Sequence, residues 1–367
     1  MIVNLAPQSM VPLPASAREI EFRGLPSLKL IWVGQIGLLA SLLLDPVLGE
    51  VRPGLLAVPL LASIVFFGLP HGALDHRVAA RLFVSFSGTG GQLIFFCLYL
   101  LLMFVYLGVW WFLPILGFGS FLLLTLIHWG HGELWVVRGR GWRRANGFSA
   151  WLIILLRGGA PILIPVVVYP GVVAEVGSWA MGLFGPVNIT EFRDGLEFLR
   201  MPLAGLYGSA LAAYAALGWS ECRSGCLAMR NYAQDGGELL LLILFFGLVS
   251  PLLAIGIYFT FWHSLRHIDR LRWALLEPEN AKAAGHEAHT AEVPLRVSGV
   301  LVRSIPLTLA SLVLLVGLGF AVQAGWFIDG GPAIRIENLV GVYLLLLAIL
   351  TLPHTLLVFA MDHRADF

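Results

Sequence analysis

Uncharged apolar runs of about 20 residues recur along this chain, and they restrict its fold more than any other feature. A run of that length crosses a hydrocarbon core of roughly 30 Å as an α-helix, which pairs its backbone groups internally. Only 12% of the residues are charged and 58% are hydrophobic, more apolar surface than a water-soluble fold can bury. The sequence therefore predicts an all-α polytopic integral membrane bundle of about 8 to 10 transmembrane helices.

Nine apolar windows give the positions of the predicted helices. The windows are 28–48, 54–70, 92–114, 117–137, 148–169, 201–219, 238–272, 298–322 and 338–360. We predict that residues 1–27 are a cytoplasmic lead-in, because they lack the basic start and apolar run of a signal peptide. Residues 28–364 are predicted to form a single transmembrane domain.

Basic residues determine the predicted orientation, since loops rich in Lys and Arg remain in the cytoplasm. Arg77 and Arg81 follow the second window, and Arg138 and Arg140 follow the fourth. Both pairs lie on the cytoplasmic side if the N-terminus does. The chain is thus predicted to be a multi-pass protein of the plasma (inner) membrane with a cytoplasmic N-terminus.

The window 238–272 does not fit this alternation if it crosses once, because Arg266 and Arg270 at its end would then face outward. Ser250 and Pro251 lie near its middle, and proline removes a helix hydrogen bond. We therefore predict two short helices that enter the membrane and return, shielded by protein.

The composition also excludes some classes of site. A net charge of +1 provides no concentrated basic face for phosphate groups, so we expect no nucleic-acid partner. Cys97, Cys222 and Cys226 are too few and too unevenly spaced for a disulfide framework or a zinc knuckle.

Histidines within the spans are the candidate functional residues, because ionisable groups are costly in a bilayer. His71 ends the second window in FGLPHGALDH, and Asp75 follows one helical turn later, where a carboxylate can orient an imidazole. His128 and His131 are three residues apart in the fourth window, within LIHWGHGELW.

The most ligand-like pair is His263 and His267 in WHSLRH, because imidazoles four residues apart on a helix can bind one metal, as in HExxH. His354 lies in the last window, in otherwise apolar surroundings. Five of these histidines (71, 128, 263, 267 and 354) are predicted to lie at similar depth in the cytoplasmic half of the membrane.

The sequence therefore predicts a metal site formed by His71, His128, His263 and His267. Neutral imidazoles without a thiolate suit iron, copper or zinc. Three further residues are predicted either to orient these ligands or to act as additional ligands, namely Asp75, His131 and His354. Aromatic side chains near these histidines are predicted to line a site for a long apolar substrate, namely Trp129, Tyr258, Phe261 and Trp262.

At these residues the sequence resembles the Brp/Blh family, bacteriorhodopsin-related membrane enzymes that cleave β-carotene to retinal. The resemblance rests on PHGALDH, the histidine-bearing fourth span, WHSLRH and LPHTLLVFAMD, and covers roughly residues 60–364. It implies that His71, His128, His263 and His267 hold Fe(2+), with Asp75 orienting a ligand. It also implies a catalytic domain that uses dioxygen to cleave the central double bond, and a functional link to a retinal-binding rhodopsin.

Two departures from the family leave the substrate open. Extra N-terminal chain with an added span precedes the helix of His71, and the segment between His128 and His263 is long. The metal motif is intact, so a different carotenoid or an apocarotenoid would use the same site.

Three other functions remain open on sequence grounds. A membrane di-iron desaturase or hydroxylase needs more histidine ligands and usually adjacent HH pairs, which this sequence lacks. A haem protein could use His128 and His354 as axial ligands and would show a Soret band. A transporter would bind no iron.

Overall fold

The computed structural model describes residues 28–51, 53–142, 147–278, 292–323 and 335–365. The predicted lead-in, residues 1–27, lies outside them. Regular structure in the described part is helical except for one antiparallel pair of short strands, β1 (Leu276–Pro278) and β2 (Glu292–Pro294). The predicted all-α architecture is confirmed.

The helices are numbered in chain order. They are α1 (Leu28–Val51), α2 (Val58–Ser63), α3 (Leu69–Gly72), α4 (Asp75–Leu82), α5 (Gly88–Phe112), α6 (Pro114–Gly139), α7 (Gly147–Ile153), α8 (Gly159–Val168), α9 (Pro170–Met181), α10 (Ile189–Arg223), α11 (Met229–Leu248), α12 (Pro251–Ile257), α13 (Leu265–Ala274), α14 (Val297–Gln323) and α15 (Ile336–Ala365). Short 3₁₀ turns cover Pro53–Ala57 and Val84–Phe86.

Three π-helical segments join neighbouring helices into longer rods. They are Ile64–Gly68 between α2 and α3, Ile154–Gly158 between α7 and α8, and Tyr258–Ser264 between α12 and α13. A π turn is a widened turn that occurs frequently at functional sites, because it changes the direction of the side chains that follow. The first segment directly precedes the short helix of His71, and the third contains His263.

Seven helical runs in the described part of the chain are long and apolar enough to cross a membrane. These are Gly54–Leu82, Gly88–Phe112, Pro114–Gly139, Gly147–Val168, Ile189–Arg223, Val297–Val322 and Ile336–Asp362. Their outward faces carry large exposed apolar side chains, such as Phe104 and Val313, as expected where hydrocarbon replaces water. The chain is therefore a multi-pass membrane protein.

The window 238–272 contains a reversal at the predicted position, but its two arms are long helices. Val249 and Ser250 are extended, and α12 begins at Pro251, where the missing N–H costs little. The Ser250 backbone N–H donates to Asp45 of α1, 3.1 Å away. The returning chain brings Arg266 within 3.1 Å of Glu238, so α11 and the α12–α13 rod run side by side in opposite directions.

The stretch between the fifth and sixth windows contains a further helix, α9. Its 12 residues are too few to cross a membrane, which is why a window of spanning length missed it. Small residues such as Ala174 and Gly177 are buried on it. Helix α9 packs tightly on α15, where a Cβ on Gly341 would lie 2.5 Å from the Trp179 carbonyl oxygen.

Backbone contact also fixes α6 against the second π segment. A Cβ on Gly130 of α6 would lie 2.6 Å from the Ile154 carbonyl oxygen, so only glycine permits this approach. Gly130 lies two residues after His128, and the contact therefore sets the position of the histidine-bearing part of α6.

Candidate metal centre

Five histidines from distant parts of the chain meet inside the bundle, and we call them the histidine group. His71 lies on α3, His128 on α6 and His354 on α15. His263 lies in the third π segment and His267 in the first turn of α13. Each is buried, with no more than 8% of its surface exposed.

The imidazole rings of the histidine group lie close together. Ring centroids of His128 are 5.0 Å from His263 and 4.8 Å from His354. The centroid of His71 is 5.4 Å from both His263 and His267. His267 and His354 are 5.2 Å apart. The four histidines predicted as ligands and His354 are thus one cluster.

The nitrogen atoms of the group fit a metal ion. His71, His128 and His263 each offer a ring nitrogen within 4.8 Å of the others. Both nitrogens of His128, and Nε2 of His263, His267 and His354, are buried without a hydrogen-bond partner in the described structure. Buried unpaired nitrogens are costly unless something binds them. A metal ion would satisfy them, and imidazole donors suit iron, copper or zinc.

Hydrogen bonds fix two of these rings. His354 Nδ1 lies 2.8 Å from Asp75 Oδ2, which also accepts from the Tyr99 hydroxyl at 3.2 Å. His71 Nδ1 donates to the Gly68 carbonyl oxygen. A histidine that donates through Nδ1 presents the lone pair of Nε2, the arrangement common among metal-bound histidines.

Asp75 contacts a different histidine from the one that its spacing suggests. Four residues separate it from His71, but the helix is interrupted by a turn at Ala73 and Leu74. Asp75 is therefore directed at His354 on α15.

His131 lies apart from the histidine group. Its ring contacts Trp151 and Phe359, with centroids 6.4 Å and 5.5 Å away. Three residues along an α-helix correspond to a rotation of about 60° from His128, enough to direct the two rings to different neighbours.

A cavity of about 490 Å³ adjoins the histidine group, a size typical of small-molecule sites. Its walls are mostly apolar. Helix α6 contributes Phe118, Phe121, Leu122, Thr125, His128 and Trp129, and α15 contributes Leu344, Leu347, Leu350, Thr351 and His354. The histidines thus open onto a space suited to an apolar molecule.

One of the four aromatic residues predicted as substrate-lining borders this cavity. Trp129 does so, with its ring 5.4 Å from that of His263. The residues of the α12–α13 rod that line the cavity are Pro251, Leu252, Ile255, Phe259 and His263. The other three aromatic residues, Tyr258, Phe261 and Trp262, lie on other faces of that rod.

The contacts of these three residues explain their orientation. Tyr258 packs between Trp129 and Phe246, at ring distances of 5.0 Å and 5.3 Å. Phe261 packs beside Gly37 of α1. Trp262 Nε1 donates to Glu133, 3.0 Å away.

A buried ion cluster lies next to the histidine group, and none of its residues lines the cavity. It consists of Glu133, Arg140, Arg157, Asp235, Glu238 and Arg266, whose side chains are no more than 8% exposed. Glu133 accepts from Arg157 at 2.7 Å and from Arg266 at 2.9 Å. Three positive and three negative groups balance, which a low-dielectric interior requires.

Sequence reasoning missed this cluster, although a signal was present. Glu133, Arg157, Asp235 and Glu238 are ionisable residues within or beside apolar runs, and such residues normally have partners. The pairing of these residues could not be deduced from the sequence, because partners such as Glu133 and Arg266 are 133 residues apart.

Comparisons with known proteins extend over nearly the whole chain. The family model described as beta-carotene 15,15′-dioxygenase matches residues 62–362. A curated relative from Halobacterium salinarum, "Probable beta-carotene 15,15′-dioxygenase Blh", is 30% identical over 98% of both chains. A second protein of that species, named Brp with the same description, is 26% identical over 57% of each chain.

A further relative, named beta-carotene 15,15′-dioxygenase, comes from an uncultured marine bacterium. It is 25% identical over 60% of this chain and 71% of its own length. No solved structure gave a significant match.

Proposed function

The chain belongs to the β-carotene 15,15′-dioxygenase family, and we propose that it uses dioxygen to cleave the central double bond of β-carotene, releasing two molecules of retinal. The observation that carries this proposal is the buried histidine group beside a largely apolar cavity. A cluster of metal ligands that opens onto apolar walls suits oxidation of a hydrocarbon.

We propose Fe(2+) as the metal, held by His71, His128, His263 and His267, with His354 as an additional ligand. Bound iron would supply the activation of dioxygen that this reaction needs. The unpaired buried nitrogens support a bound metal at this place. Asp75 holds the His354 ring, and the Gly68 carbonyl holds the His71 ring.

The cavity walls bind and orient the substrate. Phe259 stacks on His263 with nearly parallel rings, 10° apart, and Trp129 lies against both. We propose that these two aromatic side chains hold the polyene flat beside the histidine group, while the other apolar walls exclude water.

The proposed reaction is balanced without another reductant. The central carbon–carbon double bond breaks, and each carbon gains one oxygen atom from dioxygen to become an aldehyde. The substrate and the two products are apolar, which fits a catalytic domain embedded in the bilayer at residues 28–364.

We also propose a plasma-membrane location with the N-terminus and the histidine group toward the cytoplasm. A retinal-binding rhodopsin is the partner that would use the product. A different carotenoid or apocarotenoid remains the second candidate substrate, since the cavity walls make mostly apolar contacts.

The test is retinal production in bacteria engineered to accumulate β-carotene, measured by chromatography, together with the iron content of the purified protein. We expect retinal and iron with the wild type, and neither with His263→Ala. His131→Ala is the matched control, because His131 lies on a metal-bearing helix but outside the histidine group.

Two results would contradict the proposal. Full iron content in His263→Ala would mean that His263 is not a ligand. Iron-loaded wild type that desaturates or hydroxylates the carotenoid without shortening it would favour the desaturase class.

A further inference from the structure

Within the described part of the chain, the cavity reaches the outer surface of the bundle at one place. Among its lining residues in the described part of the chain, those exposed on the outside are Leu100, Ala310 and Leu314. Leu100 lies on α5, and the other two lie on α14. We call this place the lateral opening.

The helices on either side of the lateral opening both pack on α15, and each turns one stripe of side chains toward the cavity. The stripe of α5 is Phe95, Phe96, Tyr99, Leu100 and Met103, and that of α14 is Leu307, Ala310, Ser311 and Leu314. Spacings of three and four residues place each stripe on a single helix face. The two stripes therefore border the same space from different helices.

The lateral opening faces lipid. Both helices are membrane-spanning by length and composition. Residues beside the opening are apolar and largely exposed, including Phe104 at 68%, Leu309 at 55% and Val313 at 73%. Side chains of this type on a spanning helix contact hydrocarbon.

The opening also lies near the histidine group. Tyr99, next to Leu100, bonds Asp75, which in turn bonds His354. The cavity also extends along α6 from His128 to Phe118, about 15 Å at the rise of an α-helix. One end of a long chain therefore has space along α6, away from the histidine group.

We propose that the lateral opening between α5 and α14 admits the carotenoid directly from the bilayer, one end first. This inference rests on the proposed function. A carotenoid dissolves in hydrocarbon, so passage through this opening spares it any transfer through water. Because the inserted end occupies the space along α6 between His128 and Phe118, an interior bond rather than a chain end lies beside the histidines.

The first test narrows the opening in the full-length protein, reconstituted in liposomes that contain β-carotene. Ala310→Trp is compared with Leu309→Trp, its neighbour on α14, which does not line the cavity. We expect kcat/KM to fall about tenfold or more in Ala310→Trp and to change less than about twofold in Leu309→Trp, with iron content unchanged in both.

A second test closes the opening reversibly, and it applies even if the tryptophan side chain turns outward or prevents folding. In a background with Cys97, Cys222 and Cys226 replaced by serine, Ala310→Cys is labelled with a bulky methanethiosulfonate reagent. We expect the label to reduce turnover and a phosphine reductant to restore it. Leu309→Cys, labelled in the same way, is the control. Equal turnover in the two labelled proteins would overturn the proposal.

A binding measurement separates this proposal from the proposed function. In the same cysteine-free background, His263→Ala is combined with Ala310→Cys, and carotenoid uptake from liposomes is followed by absorbance. We expect the label to slow uptake even though no cleavage occurs. Equal uptake with and without the label would reject the lateral opening. If the label slows uptake but the wild-type protein releases no retinal from any carotenoid, the proposed function alone is rejected.

Discussion

Asp75 is the residue whose charge acts most directly on the histidine group. Its carboxylate lies 2.8 Å from His354 Nδ1 and is buried. A carboxylate in this position fixes the ring and so directs its opposite nitrogen. The proposed metal site would therefore depend on a side chain that need not touch the metal.

We expect Asp75→Asn to weaken metal binding by roughly 10- to 100-fold, because the amide keeps the shape of the carboxylate but loses its charge. Metal affinity is measured by competition with a chelator. Tyr99→Phe is the control, since it removes the other hydrogen bond to Asp75 and leaves the Asp75–His354 contact in place. Equal affinity in Asp75→Asn and the wild type would show that His354 needs no orientation.

At the level of residues, the sequence predicted which side chains meet better than how they are oriented. The cost of histidine in a bilayer singled out the residues that now form the histidine group. The contact between Asp75 and His354 joins residues 279 positions apart and could not be deduced from local spacing. The directions of Phe261 and Trp262 depend on a π turn, which a 3.6-residue period does not predict.

At the level of helices, the buried ion cluster ties the histidine-bearing parts of the bundle together. Glu133 on α6 bonds Arg157 of the second π segment and Arg266 beside His267. Glu238 on α11 bonds Arg266 as well. The cluster therefore links the α6 helix of His128 to the rod that carries His263 and His267.

We expect Glu133→Gln to destabilise the protein by about 3–5 kcal/mol, because two buried guanidinium groups lose a charged acceptor. The free energy of unfolding is measured in detergent by denaturant titration. Glu175→Gln is the matched control, since Glu175 is exposed on α9 and its replacement should change stability by less than about 0.5 kcal/mol. A similar change of the free energy of unfolding in both variants would mean that the ion cluster adds nothing to stability.

The close approach of α6 to the second π segment gives a paired prediction on one helix. Gly130→Ala should cost about 1–3 kcal/mol, because the added methyl meets the backbone of Ile154. Gly132→Ala should be neutral or stabilising by up to about 1 kcal/mol, because its methyl meets nothing within 4 Å. Thermal unfolding of both variants checks the difference, and destabilisation by Gly132→Ala alone would contradict the packing described here.

Hydropathy located the long apolar helices, and it failed where elements are short or charged. The α9 segment lies below spanning length, so its helix becomes visible only through packing on α15. Helix α11 begins at Met229, nine residues before the predicted window, because the charged Arg230 and Asp235 lower the hydropathy of its first turns. The π segments had no signal of their own, since their side chains resemble those of ordinary apolar helices.

At the scale of the whole molecule, the histidine group forms only when both ends of the described chain come together. His71 lies near the start of the chain and His354 near its end, and α15 packs against both α5 and α6. The group, the cavity and the lateral opening therefore depend on the complete bundle. The family match over residues 62–362 covers nearly all of these elements.

The orientation of the bundle in the membrane is a prediction from the basic residues, and α10 provides a test. Its 35 residues extend for about 52 Å, so its ends lie on opposite sides of the membrane. Asp194, in the first part of the helix, and Cys226, just beyond its end, are both exposed. We expect Cys226 on the cytoplasmic side and residue 194 outside.

The experiment labels single-cysteine proteins with a membrane-impermeant thiol reagent on intact spheroplasts and on inside-out vesicles. A protein that keeps Cys226 alone, with Cys97 and Cys222 changed to serine, should be labelled in vesicles only. A cysteine-free protein carrying Asp194→Cys should be labelled on spheroplasts only. The reverse pattern would invert the bundle and put the histidine group in the outer half of the membrane, because its depth was assigned from the same basic residues.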